Sequence, residues 1–423
     1  MPCWCGAPAN GRCWGRRGER ARHDNKLSAP TAVSARQIVE SVRCAIGVAG
    51  LLATLPGTNI GPVSRTVDPD KIERIWLRAP NWLGDFVMAT ASFQRVRAAF
   101  PNAHVTAGMR PYLRSLAAGA DWFDEIVDTP RGGGLAGLWR QVRALRRRRC
   151  DLAIVLPNSP ATGLVPFLAG VPLRLGYRQG RPGLMNLGRT APVRRRFWQR
   201  RDGPRRMPTP MPQYYHDLLD ELGIPAGGQH PVLAVSDEAD RWVAQHLRER
   251  GVADGQPLLL LVVGANFGSS KLWQPQNFAA VARHFQGRHG MRALVLVGPA
   301  EVELGEQIAA EGDALALTAP VLPLETLQAV VRRGALMVTG DTGPRHMANA
   351  FDIPVVCLIG PSDPSYTDYC MERTELLRKD LDCSPCQRKT CPLGHHRCMK
   401  DITVAEVVAA GERLLLRHGA ASG

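Results

Sequence analysis

The stretch from residue 338 to residue 348 combines residue types that suit phosphate binding. An apolar run predicts a buried strand over 335–339, a Gly-Asp-Thr-Gly turn follows, and Pro344 suits the first turn of a helix. Backbone N–H groups and the dipole at a helix N-terminus attract anions. The pattern therefore predicts a phosphate cradle at Asp341, Thr342, Gly343 and His346. An ordinary strand-to-helix turn, with Asp341 or Thr342 as the helix cap, explains the same residues.

Two further loops of the second half follow predicted strands and carry polar side chains. Ser269, Ser270 and Lys271 lie among small residues, so that backbone N–H groups can approach a phosphate and the lysine adds a positive charge. The order of glycine, lysine and serine differs from that of a P-loop. Glu301 follows the next strand, where a carboxylate can accept hydrogen bonds from ribose hydroxyls. A solvated lysine and a glutamate favoured by a helix dipole are the plainer alternatives.

The first half offers one candidate general base. Asp85 follows Gly84 between a predicted strand and a predicted helix. A carboxylate at this point can take a proton from a hydroxyl that lies in the cleft. It can equally cap the helix, so the residue type alone leaves both roles open.

Four cysteines crowd into a short stretch near the C-terminus, with His395 and His396 among them. Cys383, Cys386, Cys391 and Cys398 are enough ligands for a structural zinc ion, and they also suit an iron–sulfur cluster. Reduced thiols, or disulfides in an oxidising compartment, explain the same residues. Because the eleven cysteines are an odd number and are not spread as a disulfide framework, we expect a reducing, cytoplasmic location.

The basic composition favours an anionic partner. The formal net charge is +15, which suits nucleic acid, an anionic membrane face or a phosphorylated substrate. Aromatic residues make up only 6%, which argues against a stacking platform for single strands. Arginines cluster at 140–149 and at 194–206. They form either a solvated surface or one attracted to anionic lipid, at about 1 kcal/mol per basic residue.

The elements that must position these residues alternate between strands and helices. Predicted strands cover residues 72–77, 104–107, 125–127, 151–156, 258–263, 292–297, 335–339 and 355–359, and the first predicted helix covers 86–99. This alternation predicts an α/β fold with parallel sheets and helices on both faces. Ligands of such sheets bind beyond the carboxyl ends of the strands, and two such domains enclose a cleft.

The composition divides the chain into three predicted parts. Residues 1–70 are rich in Gly, Arg, Pro and Ala, and we expect a disordered extension or a start codon assigned too early, with a weak membrane-surface anchor as the alternative. Two α/β domains follow, over 71–230 and 231–423, with a Pro- and Arg-rich connection at 178–212. No apolar run approaches the roughly 20 residues that span a bilayer.

Four stretches taken together resemble glycosyltransferase family 9, the lipopolysaccharide heptosyltransferases, and most of all their type II branch. They are Asn81-Trp82-Leu83-Gly84-Asp85, Val155-Leu156-Pro157-Asn158-Ser159, Gly264-Ala265-Asn266-Phe267-Gly268-Ser269-Ser270-Lys271-Leu272-Trp273 and Gly340-Asp341-Thr342-Gly343-Pro344-Arg345-His346. They occur in the family's order, and the resemblance extends over roughly residues 72–417.

The resemblance implies a GT-B fold, in which two Rossmann-like domains with parallel sheets face a central cleft. It implies ADP-L-glycero-D-manno-heptose as the donor, held by the second domain. The acceptor would be a phosphorylated, heptosylated Kdo-lipid A core on the cytoplasmic face of the inner membrane. Transfer would invert the anomeric centre with no catalytic cofactor, and no nucleic acid would be bound.

The family's functional positions carry over to individual residues of this sequence. Asp85 matches the base and Lys271 a donor phosphate ligand, while Glu301 falls near the ribose carboxylate. The diphosphate turn matches Asp341, Thr342, Gly343 and His346. We also expect Asn81, Trp82 and Arg178 on the acceptor side.

The sequence departs from the family at the extension before Lys71, at the cysteine cluster and at Pro344-Arg345, where apolar residues are usual. Two rival functions fit the same sequence. One is a family member that uses another nucleotide sugar or acceptor. The other is a non-catalytic, basic protein that binds nucleotides or a membrane, and the positions of Lys271, Asp341 and Asp85 at strand ends argue against it.

Overall fold

The structure is a computed structural model that describes residues 67–130, 132–181, 183–191, 207–264 and 268–418. The described residues form an α/β fold with two parallel sheets, as the sequence predicts. Most of the predicted N-terminal extension, and the arginine cluster at 194–206, lie outside these residues.

The first sheet contains five parallel strands in the order β3-β2-β1-β4-β5. In chain order the elements are β1 (Arg74–Arg78), α1 (Leu83–Met88), α2 (Thr90–Ala99), β2 (His104–Met109), β3 (Glu125–Asp128), α3 (Gly134–Arg148), β4 (Leu152–Val155), α4 (Pro160–Ala169), β5 (Leu173–Gly176) and α5 (Met211–Leu219).

The second sheet contains six parallel strands in the order β11-β10-β9-β6-β7-β8. The elements of this half are α6 (Asp237–Arg248), β6 (Leu258–Val262), α7 (Pro275–His289), β7 (Arg292–Leu296), α8 (Val302–Gly312), β8 (Leu315–Ala316), α9 (Leu324–Arg332), β9 (Gly334–Gly340), α10 (Gly343–Ala350), β10 (Val355–Ile359), β11 (Thr374–Arg378), α11 (Arg397–Lys400) and α12 (Val404–His418).

The central strands are apolar on both faces because helices cover both sides of each sheet. Every residue of β4, β6 and β10 is buried. A continuous apolar strand is typical of a parallel sheet that is packed on two sides. The buried strands fix where the chain turns, and the loops at their carboxyl ends are consequently held in defined positions.

The predicted helix over 86–99 is corrected to two helices that meet at Ala89. The hydroxyl of Thr90 donates a 2.8 Å hydrogen bond to the carbonyl of Val87 and accepts another from the N–H of Val232. A threonine hydroxyl that bonds to the preceding turn competes with the helical pattern and bends the chain. The first of these helices begins earlier than predicted, at Leu83, which places Asp85 inside its first turn.

Three strands that the sequence did not predict, β5, β8 and β11, lie at sheet edges. They are short or half-exposed, so they lack the apolar run that identifies a central strand.

The described residues all belong to one compact unit. The domain boundary near residue 230 remains a proposal. Among the described residues, no helix is both long and apolar enough to cross a membrane.

Candidate functional site

A cleft of about 2330 Å³ lies at the carboxyl ends of strands from both sheets. Its walls include the loops after β1 and β2 of the first sheet and the loops after β6, β7, β9 and β10 of the second. Pockets for one small ligand usually measure about 300–1,000 Å³. The cleft therefore has room for two substrates side by side.

Lys271 and Asp341 form a nearly buried ion pair in the wall of the cleft. The Nζ of Lys271 donates to the carboxylate of Asp341 at 2.9 Å and to its carbonyl at 2.7 Å. Arg345, which is fully buried, lies 3.2 Å from the other carboxylate oxygen. Burial opposes ionisation of Asp341, but the two cations outweigh it and hold the pKa of the carboxyl well below its ordinary value. The loop after β6 is thereby tied to the turn after β9.

The N-terminus of α10 faces the cleft. Pro344 lies in its first turn, as the sequence predicts. Thr342 occupies the N-cap position, but within the described part of the chain its side chain makes no capping hydrogen bond. Its hydroxyl instead shares a 3.2 Å hydrogen bond with that of Thr339. The first N–H groups of this helix can therefore serve an anionic ligand.

His346, the fourth residue of α10, is buried and is held by Tyr369. Its Nδ1 and the Tyr369 hydroxyl share a 2.5 Å hydrogen bond, and the two rings lie nearly parallel, at 11°. Burial, reinforced by the charge of Arg345, lowers the pKa of His346 to about 3. The imidazole is therefore neutral at physiological pH.

Helices α1 and α10 touch through two glycines. A Cβ at Gly84 would lie 2.7 Å from Cδ2 of His346, and a Cβ at Gly343 would lie 2.5 Å from Cδ2 of Leu83. Separations this short are closer than van der Waals contact, so a side chain larger than that of glycine would force a shift of its neighbours at either position. The contact fixes the position of Asp85, the next residue of α1, relative to the N-terminus of α10.

Glu301 lies between the ends of β6 and β7. Its carboxylate accepts a 2.7 Å hydrogen bond from the N–H of Gly298. A Cβ at Gly264 would lie 2.2 Å from Cδ of Glu301, so the glycine leaves room for the carboxylate. The side chain lines the cleft in the crevice where α/β sheets bind nucleotides.

Asn81, Trp82 and Asp85 line the cleft on the side of the first sheet. Asn81 is held from two sides, because its side chain accepts from Arg78 at 2.6 Å and its carbonyl accepts from the Tyr112 hydroxyl at 2.8 Å. The Trp82 side chain is half exposed. Burial, with the charge of Arg110 nearby, lowers the pKa of Arg78 to about 10.

The structure does not bring every predicted site residue to the cleft. Ser269, Ser270 and Arg178 are not among the described residues that line it. Ser270 is buried, and its hydroxyl donates to the carbonyl of Arg388 at 2.6 Å, so a phosphate contact by this side chain would require that bond to be exchanged. Arg178 donates to the carbonyl of Asn186 at 3.3 Å.

The cysteine-rich segment, residues 383–398, packs against the Lys271 loop. The carbonyl of Lys389 accepts from the N–H of Ser270 at 3.1 Å, and residues 386–389 line the cleft. A Cβ at Gly268 would lie 2.3 Å from that carbonyl. The segment is therefore part of the wall of the site.

The four thiols of this segment are free and lie near one another. Backbone N–H groups, that of His396 above all, lower the pKa of Cys391. Burial and the neighbouring thiols raise the pKa of Cys398, and the Sγ of Cys383 lies 3.9 Å from Nε2 of His395. In the described part of the chain, however, the one group of three or more potential ligands whose atoms all lie within 4.8 Å of one another is His284, His289 and Glu412.

Sequence reasoning missed Arg345, Tyr369 and the cleft-lining residues Arg388 and Lys389. In the sequence Arg345 is only an unusual residue after Pro344. The available signal was its position near the start of α10, from which its side chain reaches back to Asp341 in the preceding turn. Tyr369 reaches His346 from 23 positions away, and nothing local in the sequence indicates that contact.

The sequence profile of glycosyltransferase family 9 (heptosyltransferase) matches residues 138–397. The chain is similar to lipopolysaccharide heptosyltransferase 2 of Escherichia coli strain K12. The two are 27% identical over 363 residues, which cover 82% of this chain and 100% of that protein.

Two solved structures are similar to this fold. One is the ADP-heptose lipopolysaccharide heptosyltransferase II of Escherichia coli, with a TM-score of 0.65 and 24% identity over 82% of this chain and 99% of that one. The other is a family 9 glycosyl transferase of Veillonella parvula, with a TM-score of 0.69 and 22% identity over 84% of this chain and 100% of that one. These similarities confirm the expected pair of Rossmann-like domains.

Proposed function

Because the chain belongs to glycosyltransferase family 9, the heptosyltransferases, we propose that it transfers L-glycero-D-manno-heptose from ADP-heptose to the heptosyl-Kdo-lipid A inner core during lipopolysaccharide core biosynthesis. The observation that carries this proposal is the arrangement of the cleft. The cleft is lined by the Lys271–Asp341 pair, by the N-terminus of α10 and by Asp85. Asp85 belongs to α1, the helix that contacts α10.

The donor diphosphate binds beside the N-terminus of α10. The backbone N–H groups of that turn and the charge of Lys271 stabilise the negative charge that develops as ADP departs. Asp341 holds the lysine, and Arg345 holds Asp341, so these groups are fixed before the substrate binds. Glu301 accepts from the ribose hydroxyls, for which its position between β6 and β7 is suited.

Asp85 is the general base. The acceptor hydroxyl attacks the anomeric carbon, and its proton passes to the Asp85 carboxylate as the new C–O bond forms. The bond between the anomeric carbon and the diphosphate oxygen breaks, and ADP leaves with the electron pair. Attack from the opposite face inverts the anomeric centre. Neutral His346 supports the α1 contact and adds no positive charge beside the base.

The acceptor binds on the side of the first sheet. Asn81, Trp82, Arg110, Tyr112 and Arg114 line that side of the cleft. Trp82 and Tyr112, each about half exposed, offer flat apolar surfaces to a sugar ring. Arg110 and Arg114 supply positive charge for the phosphate groups of the acceptor.

Helix α3 carries the contact with the inner membrane at the cytoplasmic face. Leu135 is 66% exposed and Trp139 is 50% exposed, one helical turn apart. The arginine cluster at 140–149 lies on or next to the same helix. Its five exposed members are Arg140, Arg143, Arg146, Arg147 and Arg149. Exposed leucine and tryptophan next to arginines are typical of a helix that lies in the interface of an anionic membrane.

The four-thiol segment would hold a structural metal ion. Cys383, Cys386, Cys391 and Cys398 would be the ligands, and a soft or borderline ion such as zinc suits four sulfur donors. The ion would hold residues 383–398 in place, and with them the carbonyls that bind Ser270. It would take no part in the transfer itself.

The test is ADP release from ADP-heptose, measured with and without a heptose-bearing lipid A core acceptor. We expect acceptor-dependent release that is lost in Asp85→Asn, a variant that keeps the shape of the side chain. Binding of ADP-heptose without acceptor-dependent release would refute the acceptor. Absence of ADP-heptose binding in the correctly folded protein would refute the donor and direct a panel of other nucleotide sugars.

A further inference from the structure

A second cluster of potential metal ligands lies on helices α7 and α12, outside the residues that line the cleft. His284 and His289 come from α7, and Glu412 comes from α12. The Oε1 of Glu412 lies 3.0 Å from Nε2 of His284 and 3.6 Å from Nε2 of His289. Two imidazoles and a carboxylate thus converge on one point between two helices.

We propose that His284, His289 and Glu412 bind a zinc-class divalent cation that joins α12 to α7. With bonds of about 2.0–2.2 Å, neighbouring ligand atoms around a tetrahedral zinc ion lie about 3.3–3.6 Å apart. The separation from His284 is shorter than that range, and the separation from His289 lies at its upper limit. All three ligand atoms lie within 4.8 Å of one another, so in the proposed site rotation of the side chains brings them to bonding distance and water takes the fourth position.

The two helices hold these ligands at a fixed separation. Gly411 precedes Glu412, and a Cβ there would lie 2.6 Å from Cζ of Phe285, the residue after His284. The helices therefore touch directly beside the cluster. Each of the three ligand side chains is about one-third exposed, so the ion can enter from solvent.

Among the described ion pairs, Arg288 is the one charged group of α7, apart from the two histidines, that pairs with Glu412. It would therefore compete with a cation for this carboxylate. Its Nε lies 3.3 Å from Oε1 of Glu412, and its side chain is 69% exposed. Without metal, arginine and the histidines share the carboxylate. With metal, Arg288 is free to turn into solvent, because most of its surface already faces water.

The experiment is a Zn²⁺ titration of the full chain, purified without a polyhistidine tag and stripped with EDTA, followed by calorimetry and by the Zn²⁺-dependent change in Tm. We expect His289→Ala and Glu412→Gln each to lose one bound equivalent and the associated rise in Tm. Arg288→Ala should bind the same equivalent more tightly, a gain that misfolding cannot produce. His104→Ala is the matched control, because His104 pairs with Glu125 at 4.0 Å but, among the described residues, belongs to no group of three potential ligands.

Co²⁺ separates this site from the cysteine-rich segment. Nitrogen and oxygen ligands give weak visible bands, whereas thiolates add intense near-ultraviolet charge-transfer absorption. We expect Glu412→Gln to lose a component that lacks thiolate absorption. Equal Zn²⁺ stoichiometry and equal Tm response in wild type, His289→Ala and Glu412→Gln would overturn the proposal. The test needs no transferase activity, so its outcome is independent of the proposed function.

Discussion

Gly84 of α1 and His346 of α10 are in direct contact, and the absence of a side chain at Gly84 makes that contact possible. A Cβ at residue 84 would lie 2.7 Å from Cδ2 and 3.2 Å from Nε2 of the imidazole. His346 cannot retreat, because it is buried and its Nδ1 is bonded to the Tyr369 hydroxyl. The contact links the helix that carries Asp85 to the helix proposed to bind the diphosphate.

Gly84→Ala should therefore displace α1 rather than His346. A displacement of about 1 Å at a catalytic group typically costs about 100-fold in rate. We expect kcat/KM for ADP release to fall by about that factor, while the protein stays folded. The measurement is steady-state release of ADP with the acceptor present.

Gly287→Ala is the control for this substitution. Gly287 lies within α7, and a Cβ there would meet no described atom within 4 Å. We expect unchanged kcat/KM and equal or slightly higher stability, because alanine is the better helix former. If Gly84→Ala kept the wild-type kcat/KM, the α1–α10 contact would have no role in positioning Asp85.

Lys271→Met should reduce transfer by removing a positive charge next to the leaving group. Removal of one preorganised electrostatic donor typically lowers kcat about 10²–10³-fold. Asp341 keeps Arg345 as a partner, so the turn after β9 is still held. Lys379→Met is the matched control, since Lys379 forms a 2.6 Å ion pair with Glu406 away from the cleft. Equal kcat in both variants would exclude Lys271 from the chemical step.

Protonation of His346 should destabilise the protein in acid. Burial lowers the folded pKa to about 3 from an ordinary 6.5. Between these two pKa values the unfolded chain binds a proton at this histidine and the folded chain does not. Stability is therefore lost as the pH falls from 6.5 towards 3. The loss from this group is about 1.4 kcal/mol per pH unit.

Urea unfolding of wild type and His346→Gln at pH 6.5 and about pH 4.5 measures this contribution. We expect the free energy of unfolding of the wild type to fall by about 2–3 kcal/mol more than that of the variant over this interval. His230→Gln, at a half-exposed histidine, should behave as the wild type. Parallel curves for wild type and His346→Gln would show that the imidazole does not resist protonation.

The sequence predicted the central strands well because their residues are apolar without interruption. The strand predicted at 355–359 has the observed bounds, and that at 258–263 ends one residue earlier, at Val262. β5 and β11 were missed because edge strands have one open side and tolerate arginine and glutamate, as in the Thr374–Arg378 run. Burial on both faces of a strand requires an uninterrupted apolar run, and that run is what identifies the strand in the sequence.

The candidate site was predictable where one loop supplies the residues. The turn with Asp341, and Asp85 after Gly84, follow from local order along the chain. The pairing of Lys271 with Asp341 spans 70 positions, and that of His346 with Tyr369 spans 23. Such contacts depend on the order of strands in the sheet, which periodicity does not reveal.

The cysteine-rich segment should influence donor binding. Its carbonyls hold Ser270, and its residues 386–389 line the cleft. The His289→Ala protein lacks a ligand of the site proposed on α7 and α12. We therefore expect it to contain about one metal ion per chain by elemental analysis, as one structural ion in the cysteine-rich segment requires. Cys391→Ser should lose that ion and raise the KM for ADP-heptose more than it lowers kcat.

Cys150→Ala serves as the control, because this buried thiol lies just before β4 and far from the segment in sequence. It should keep both the metal and the KM. A metal-free His289→Ala protein with a normal KM for ADP-heptose would contradict the metal proposal and leave residues 383–398 as a wall made by packing alone.

The exposed face of α3 should govern binding to anionic vesicles. Burial of a leucine or tryptophan side chain contributes about 1.5–3 kcal/mol, so Leu135→Ser with Trp139→Ser should weaken binding by more than about tenfold. Because the arginines act through screened electrostatics, salt should weaken vesicle binding of both the wild type and the double variant.

Sedimentation with vesicles that contain phosphatidylglycerol measures the effect. Leu416→Ser, at an 84% exposed leucine of α12, should bind as the wild type does. Vesicle binding that survives the double substitution but disappears with salt would assign membrane contact to the arginines alone.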